Sequence, residues 1–179
     1  LKDCGDAETS GSLNGNLKVM SEEIVWTGSP WPLAEESATR DLGAGLARRL
    51  SREGGHTLLL SGELGMGKTC LVQGLARGLG IDEPVTSPTF ALSQHYEGRS
   101  GALVHLDLYR LEQPEAADEL LAQEQEIARG SNAVLAVEWP ERLSSPPPQS
   151  WRVELRLLDP RDPDRGRLAL VRPPAAFPG

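Results

Sequence analysis

The sequence predicts an α/β fold, a mixed sheet flanked by helices and finished by a C-terminal antiparallel hairpin, from three observations. Short apolar runs, HTLLLS at 56–61 and AVLAVE at 133–138, are continuous in the way of strands buried on both faces. The first of them runs into Gly62-Glu-Leu-Gly-Met-Gly-Lys-Thr69, which opens an amphipathic helix. The stretch 151–158 differs in kind: Trp151, Val153, Leu155 and Leu157 alternate with Arg152, Glu154 and Arg156, the pattern of a half-exposed antiparallel strand.

In chain order, residues 1–21 are rich in Gly, Ser, Asn and Asp without a hydrophobic period, and read as a disordered tail. Met20 heads the first segment with structural character, so 1–19 are expected to be an upstream extension. A strand is expected at 23–27, then a proline-containing turn. Over 35–50, Ala38, Leu42, Leu46 and Leu50 recur every four positions and predict a helix, which Gly54-Gly55 breaks. After the strand at 56–61 comes a helix from Lys68 to Leu79, with a buried stripe of Leu71, Val72, Leu75 and Leu79 and a capping Gly80. Strands near 90–96 and 102–106, a short helix from Pro114 to Ala122 and a strand at 133–138 follow. The turn DPRDPDRG leads to a partner strand at 167–171. The working domain is therefore expected to span 22–172, with 173–179 a frayed tail.

A length of 179 residues suits one domain with a sizeable core. The net charge of −8 argues against direct docking on RNA or DNA, but leaves room for nucleic-acid chemistry through a partner. No apolar run approaches membrane-spanning length, and LKDCGDAETS is too polar for a signal peptide. Cys4 and Cys70 are too few for a disulfide framework. A cytoplasmic protein is expected.

Gly62, Gly67, Lys68 and Thr69 satisfy every required position of a phosphate-binding loop. Glycines let the backbone wrap phosphates with its N–H groups inward, and the following helix N-terminus adds partial positive charge. In such a loop Lys68 reaches the β- and γ-phosphates and the Thr69 hydroxyl takes a Mg²⁺ position. Chemistry beyond binding needs a carboxylate at a neighbouring strand end and something to position water. Asp107 and Glu138 both end hydrophobic runs, although such residues also serve as turn formers and caps. Thr86-Ser-Pro-Thr-Phe90 groups three hydroxyls about a proline; it could sense a γ-phosphate, but on its residues alone reads better as a rigid turn. His56, His95 and His105 lack metal-ligand spacing, and His105 reads as structural. Trp139 reads equally as a core aromatic or a contact residue.

Four separated motifs occur in a fixed order: GELGMGKT (62–69), SPTF (87–90), HLDLYRL (105–111) and VEWPE (137–141). Together, and over about residues 24–172, they resemble the TsaE (YjeE) family, the small ATPase of bacterial tRNA threonylcarbamoyladenosine synthesis. The resemblance implies a P-loop NTPase-like fold, ATP and Mg²⁺ as cofactors, slow ATP hydrolysis, and partnership with a TsaB–TsaD complex that itself handles the tRNA. It implies that Gly62, Glu63, Leu64, Gly65, Met66, Gly67, Lys68, Thr69 and Cys70 cradle the nucleotide. Thr69 and Glu138 would hold Mg²⁺, Lys68 would act on the phosphates, and Asp107 would support hydrolysis. Ser87 and Thr89 would lie in a switch-like segment, and Trp139 follows the metal carboxylate as the family pattern has it. More weakly, Glu35, Glu36, Gly166 and Arg167 resemble positions on the adenine side. Met66 departs from a usual Ala and Cys70 from a usual Thr; neither removes a catalytic group.

Rival readings divide by class. No Asn is followed by Lys, so the base-recognition motif of a GTPase is missing. A small-molecule kinase would need an acceptor pocket and an Arg-rich lid, whereas the segments after the loop are short. A nucleotide-gated adaptor with little turnover would keep the loop but not need both carboxylates.

Overall fold

The computed structural model describes residues 30–52 and 56–174. The elements expected at 1–21 and 23–27, the Gly54-Gly55 break and the chain end from 175 lie outside them. In chain order the described residues form β1 (Trp31–Leu33), α1 (Glu36–Arg52), β2 (Thr57–Ser61), α2 (Lys68–Leu79), β3 (Ser93–Gly98), β4 (Gly101–Asp107), α3 (Pro114–Ser131), β5 (Val134–Glu138), β6 (Trp151–Leu157) and β7 (Arg167–Arg172). The strands make one sheet in the order β1-β7-β6-β2-β5-β4-β3. β2 runs parallel to both β5 and β6, and β5 parallel to β4, while β3, β7 and β1 pair antiparallel at the flanks.

Strand alternation sorts the core into two layers. Leu58, Leu60, Leu103, Val134, Ala136, Val153 and Leu155 pack with Leu42, Leu46 and Leu50 of α1 and Leu71, Leu75 and Leu79 of α2. Leu59, Val104, Leu106, Leu135 and Val137 pack on the other side with Ala117, Leu121 and Ala128 of α3. The two helices of the first layer approach closely because glycine removes side chains between them. A Cβ on Gly74 would lie 2.2 Å from the Arg40 carbonyl oxygen, and one on Gly43 would lie 2.2 Å from that of Leu71. This contact carries α2 against α1.

Several boundaries differ from the sequence reading, each for a physical reason. The helix from Pro114 runs to Ser131 rather than stopping at Ala122, because Leu121, Glu124 and Ala128 continue one buried face across the polar stretch 123–126. The strand expected at 90–96 starts at Ser93; Leu92, at φ 66°, closes a turn by donating its N–H to the Pro88 carbonyl at 2.6 Å. β6 is antiparallel to β7 but parallel to β2, so its alternation reports a sheet region covered by helices on one face, not the direction of its pairing. β1 falls where a proline turn was expected. Pro32 is tolerated there because β1 is an edge strand, where a missing N–H breaks no central ladder.

The parallel run β4-β5-β2 brings three strand ends to one edge. Asp107 is in register with Glu138, and Glu138 with Leu60, one residue before Ser61 and the loop that follows.

Candidate functional site

Residues 62–67 connect β2 to α2 with positive φ at Gly62 (136°), Gly65 (79°) and Gly67 (97°). At Gly62 a Cβ would also lie 2.5 Å from the Leu155 carbonyl oxygen, so β6 excludes any side chain there. Lys68, the first residue of α2, is buried and bridges the loop, its ammonium donating to the carbonyls of Gly62 at 2.6 Å and Glu63 at 2.9 Å. The same ammonium sits 3.8 Å from the centroid of the Trp139 ring. Burial pushes the Lys68 pKa down, opposed by the negative charges of Glu138, Glu141 and Asp107.

Glu138 and Asp107 are nearly inaccessible, at 3% and 2% exposure, which makes their partners decisive. Glu138 Oε1 accepts from the Thr69 hydroxyl at 2.8 Å and from His105 Nε2 at 2.9 Å. Asp107 Oδ2 accepts from Ser87 at 2.6 Å and Thr89 at 2.7 Å, and those hydroxyls lie 2.6 Å from each other. Asp107 Oδ1 accepts from the Tyr109 backbone N–H at 3.0 Å. The carboxylates therefore divide the neighbourhood: one is tied to the helix that follows the loop, the other to the segment 87–89.

Trp139 adopts φ 61°, an outlier for a bulky residue that the surroundings must hold in place. Its N–H donates to the Leu60 carbonyl at 3.2 Å, and its ring packs at 4.9 Å between centroids on Tyr109. Phe90, beside Thr89, is 86% exposed and is covered on one face by the Arg110 guanidinium at 4.2 Å.

The remaining sequence-predicted residues surround the loop at varying distance. Arg167 donates to the Gly65 carbonyl at 3.2 Å, joining the terminal hairpin to the loop. Gly166 turns at φ 96° against Leu33, where a Cβ would lie 2.8 Å from the carbonyl oxygen. The Glu36 carbonyl accepts from Cys70 Sγ at 3.4 Å, while its carboxylate pairs with Arg40 one turn on. Glu35 uses its carbonyl to start α1, accepting from the Thr39 N–H. Glu63, Leu64 and Gly65 are exposed, and Met66 packs partly against the core. Burial raises the Cys70 pKa, with Arg40 lowering it, Glu36 raising it and Arg167 lowering it in diminishing order.

Sequence reasoning missed His105, which belongs to this site, and the signal for it was available. His105 and Asp107 are two apart on one strand and so share a face. It also missed Gln73, which accepts from Arg40 Nε at 3.3 Å and donates to the Val85 carbonyl at 3.1 Å, linking both helices to the base of the 86–90 segment. A cavity of about 50 Å³ lined by Thr57, Gln125, Ala128 and Leu135 lies at the other edge of the sheet, away from the carboxylates.

A hydroxyl and a carboxylate on one side, with a second carboxylate in register, form a hard-oxygen donor set suited to Mg²⁺. Among the described residues there is no group of three or more His, Cys, Asp or Glu placed to hold a metal ion. No described helix is long and apolar enough to cross a membrane.

Comparison with known proteins places these features in context. Residues 33–165 match the sequence model of the family described as "Threonylcarbamoyl adenosine biosynthesis protein TsaE". A tRNA threonylcarbamoyladenosine biosynthesis protein TsaE from Nostoc sp. is 46% identical over 119 residues, covering 64% of this chain and 70% of the relative. The protein of the same name from Mycobacterium bovis is 38% identical over 136 residues, 73% of this chain and 74% of the relative. Among solved structures, Bacillus subtilis YdiB matches with a TM-score of 0.56 at 24% identity, over 80% of this chain and 84% of that one, a likeness of fold.

Proposed function

We propose, for a chain that belongs to the TsaE family of tRNA threonylcarbamoyladenosine biosynthesis proteins, that it is a Mg²⁺-dependent ATPase acting on a TsaB–TsaD-type complex. The observation that carries the nucleotide part is the meeting of Thr69 and Glu138 at 2.8 Å, at the helix end of a loop with three left-handed glycines. A Thr hydroxyl can give its proton to Glu138 and turn a lone pair to a cation at the same time. ATP would lie along 62–69, with Lys68 leaving the loop carbonyls for the phosphates, and Thr69 and Glu138 holding Mg²⁺, which would neutralise charge on the phosphates. Arg167, Gly166, Glu35 and Glu36 would border the nucleotide from the terminal hairpin and the start of α1.

Asp107 would orient the attacking water or accept its proton. Its Oδ2 already carries the Ser87 and Thr89 hydroxyls, so the water would take the second lone pair of Oδ1, beside the Tyr109 N–H, or displace one of the hydroxyls. The same geometry favours a second reading, a nucleotide-gated adaptor in which segment 87–89 moves with nucleotide while hydrolysis is incidental. The tRNA would be handled by the partner complex, in keeping with a net charge of −8.

The experiment is tRNA modification over multiple turnovers by a TsaB–TsaD pair, with this protein and ATP present or omitted, run beside Mg²⁺-dependent phosphate release. Equal modification with and without the protein would refute the functional reading. Modification supported equally by a non-hydrolysable ATP analogue would select the adaptor.

A further inference from the structure

We infer that His105 is a positioning residue for the cation-binding carboxylate: it holds Glu138 by Oε1 so that the other oxygen, Oε2, faces the Mg²⁺ side. This deepens the reading proposed above and rests on it.

His105 is a residue that the fold alone does not require. His105 sits in the middle of β4 with no exposed surface, on the strand face that carries Leu103 and Asp107. A Leu or Val there would bury apolar surface without a polar group to satisfy. Instead the imidazole brings two ring nitrogens into the core, and Nδ1 has no hydrogen-bond partner among the described residues. Such a group is costly to bury. Against a carboxylate oxygen, Nε2 is the nitrogen that donates.

The placement is specific. In register His105 faces Ala136, and Glu138 is the diagonal neighbour two residues on. The small Ala136 leaves room for the ring to lean along β5 towards that carboxylate. Both recorded donors to Glu138, His105 from the sheet and Thr69 from α2, meet the same oxygen from different elements. Two donors on one oxygen fix the rotation of a carboxylate, whereas Thr69 alone would leave it free to turn. While Thr69 donates to Glu138 and turns a lone pair to the cation, His105 is the second anchor and the one that belongs to the sheet. Partners one shell removed from a metal commonly contribute 10–100-fold to its affinity in this way.

The test compares the wild-type chain with His105→Leu and His105→Gln, titrated with a fluorescent ATP analogue in EDTA and then across a range of Mg²⁺. The Gln side chain can place an N–H near the position of Nε2. His105→Leu should raise the Mg²⁺ concentration for half-maximal tight binding by about tenfold or more. Its metal-free nucleotide affinity should stay within about twofold, and His105→Gln should recover most of the Mg²⁺ response. An unchanged Mg²⁺ response in His105→Leu overturns the inference. So does an equal loss of binding with and without Mg²⁺, accompanied by a lowered melting temperature, which marks a structural residue. If His105→Leu does not fold, His105→Gln alone decides: a Mg²⁺ response near wild type supports the donor role, and one lost by tenfold refutes it. A wild-type chain that binds no nucleotide sinks the underlying ATPase reading as well, and is recognised before any variant is compared.

Discussion

Replacing Asp107 with Asn separates a catalytic role from a structural one, because the structure sets different magnitudes for the two. The buried carboxylate accepts three hydrogen bonds, two from the hydroxyls of Ser87 and Thr89 on Oδ2 and one from the Tyr109 N–H on Oδ1. An Asn can keep its oxygen on the Tyr109 N–H and turn its amide towards the hydroxyls, which are able to accept as well as donate. No polar group need be left unpaired. What is lost is the charge-assisted share of each bond, about 1 kcal/mol per bond, discounted where Ser87 reaches solvent. The expected stability loss is roughly 1–2 kcal/mol, or a Tm lower by about 2–8 °C for a domain of this size.

Hydrolysis should respond on a larger scale. Removing a group that orients water or takes its proton costs about 10²–10⁴-fold in rate, about 3–5 kcal/mol of barrier. Asp107→Asn should therefore bind an ATP analogue with near wild-type affinity while single-turnover phosphate release falls by at least a hundredfold. A fall of less than tenfold would refute the chemical role. Loss of nucleotide binding in a folded variant would make Asp107 a support for segment 87–89 instead.

Other consequences are measurable on the same footing. Lys68→Ala should weaken ATP binding in a titration, and Glu138→Ala should abolish the Mg²⁺-dependent part of phosphate release; unchanged turnover in the latter sinks the metal assignment. Gly74→Ala should lower stability by about 2 kcal/mol in denaturant unfolding, since overpacking against the Arg40 carbonyl costs up to about 3 kcal/mol and the helix regains about 1. A loss below about 0.5 kcal/mol would mean that α1 and α2 separate readily. Because burial raises the Cys70 pKa, less thiolate is present at neutral pH than in an exposed cysteine. Its alkylation, followed by peptide mass, should lag the denatured chain, quicken as pH rises towards the raised pKa, and slow further with Mg²⁺ and ATP. Equal rates in folded and denatured protein would contradict that placement.

Much of the fold was legible because the central strands are buried on both faces and announce themselves as apolar runs. HTLLLS and AVLAVE, the Lys68–Leu79 stripe and the Gly80 cap all lie where periodicity and chain chemistry put them. The errors arose where a partner distant in sequence decides. Glu124 looks like one more charge in a polar run, yet it is buried and meets His95 across to β3 at 2.7 Å, and α3 extends past it. β1 exists only because β7 supplies its ladder, and three residues with a central proline carry no strand signal alone. At the site, single residues were visible but their connections were not. No spacing rule joins Thr69 to Glu138 across 69 positions, or His105 to Glu138 across 33.

Those connections give the two carboxylates different mechanical consequences under the proposed activity. Glu138 is gripped from the sheet by His105 and from α2 by Thr69, elements that pack into the core. Asp107 is gripped by two hydroxyls of an exposed segment whose base is tied through Gln73 and Arg40 to both helices. A change at Asp107 is therefore felt in segment 87–89, while a change at Glu138 is absorbed by the frame. If water must displace Ser87 or Thr89 to reach Asp107, each hydrolytic event releases the segment that carries the exposed Phe90. Ser87→Ala together with Thr89→Ala should uncouple the two: the Asp107 carboxylate is freed, Phe90 loses its tether, and phosphate release no longer depends on segment motion. Proteolysis at 86–92 that remains nucleotide-dependent in this double variant would show that the tether lies elsewhere.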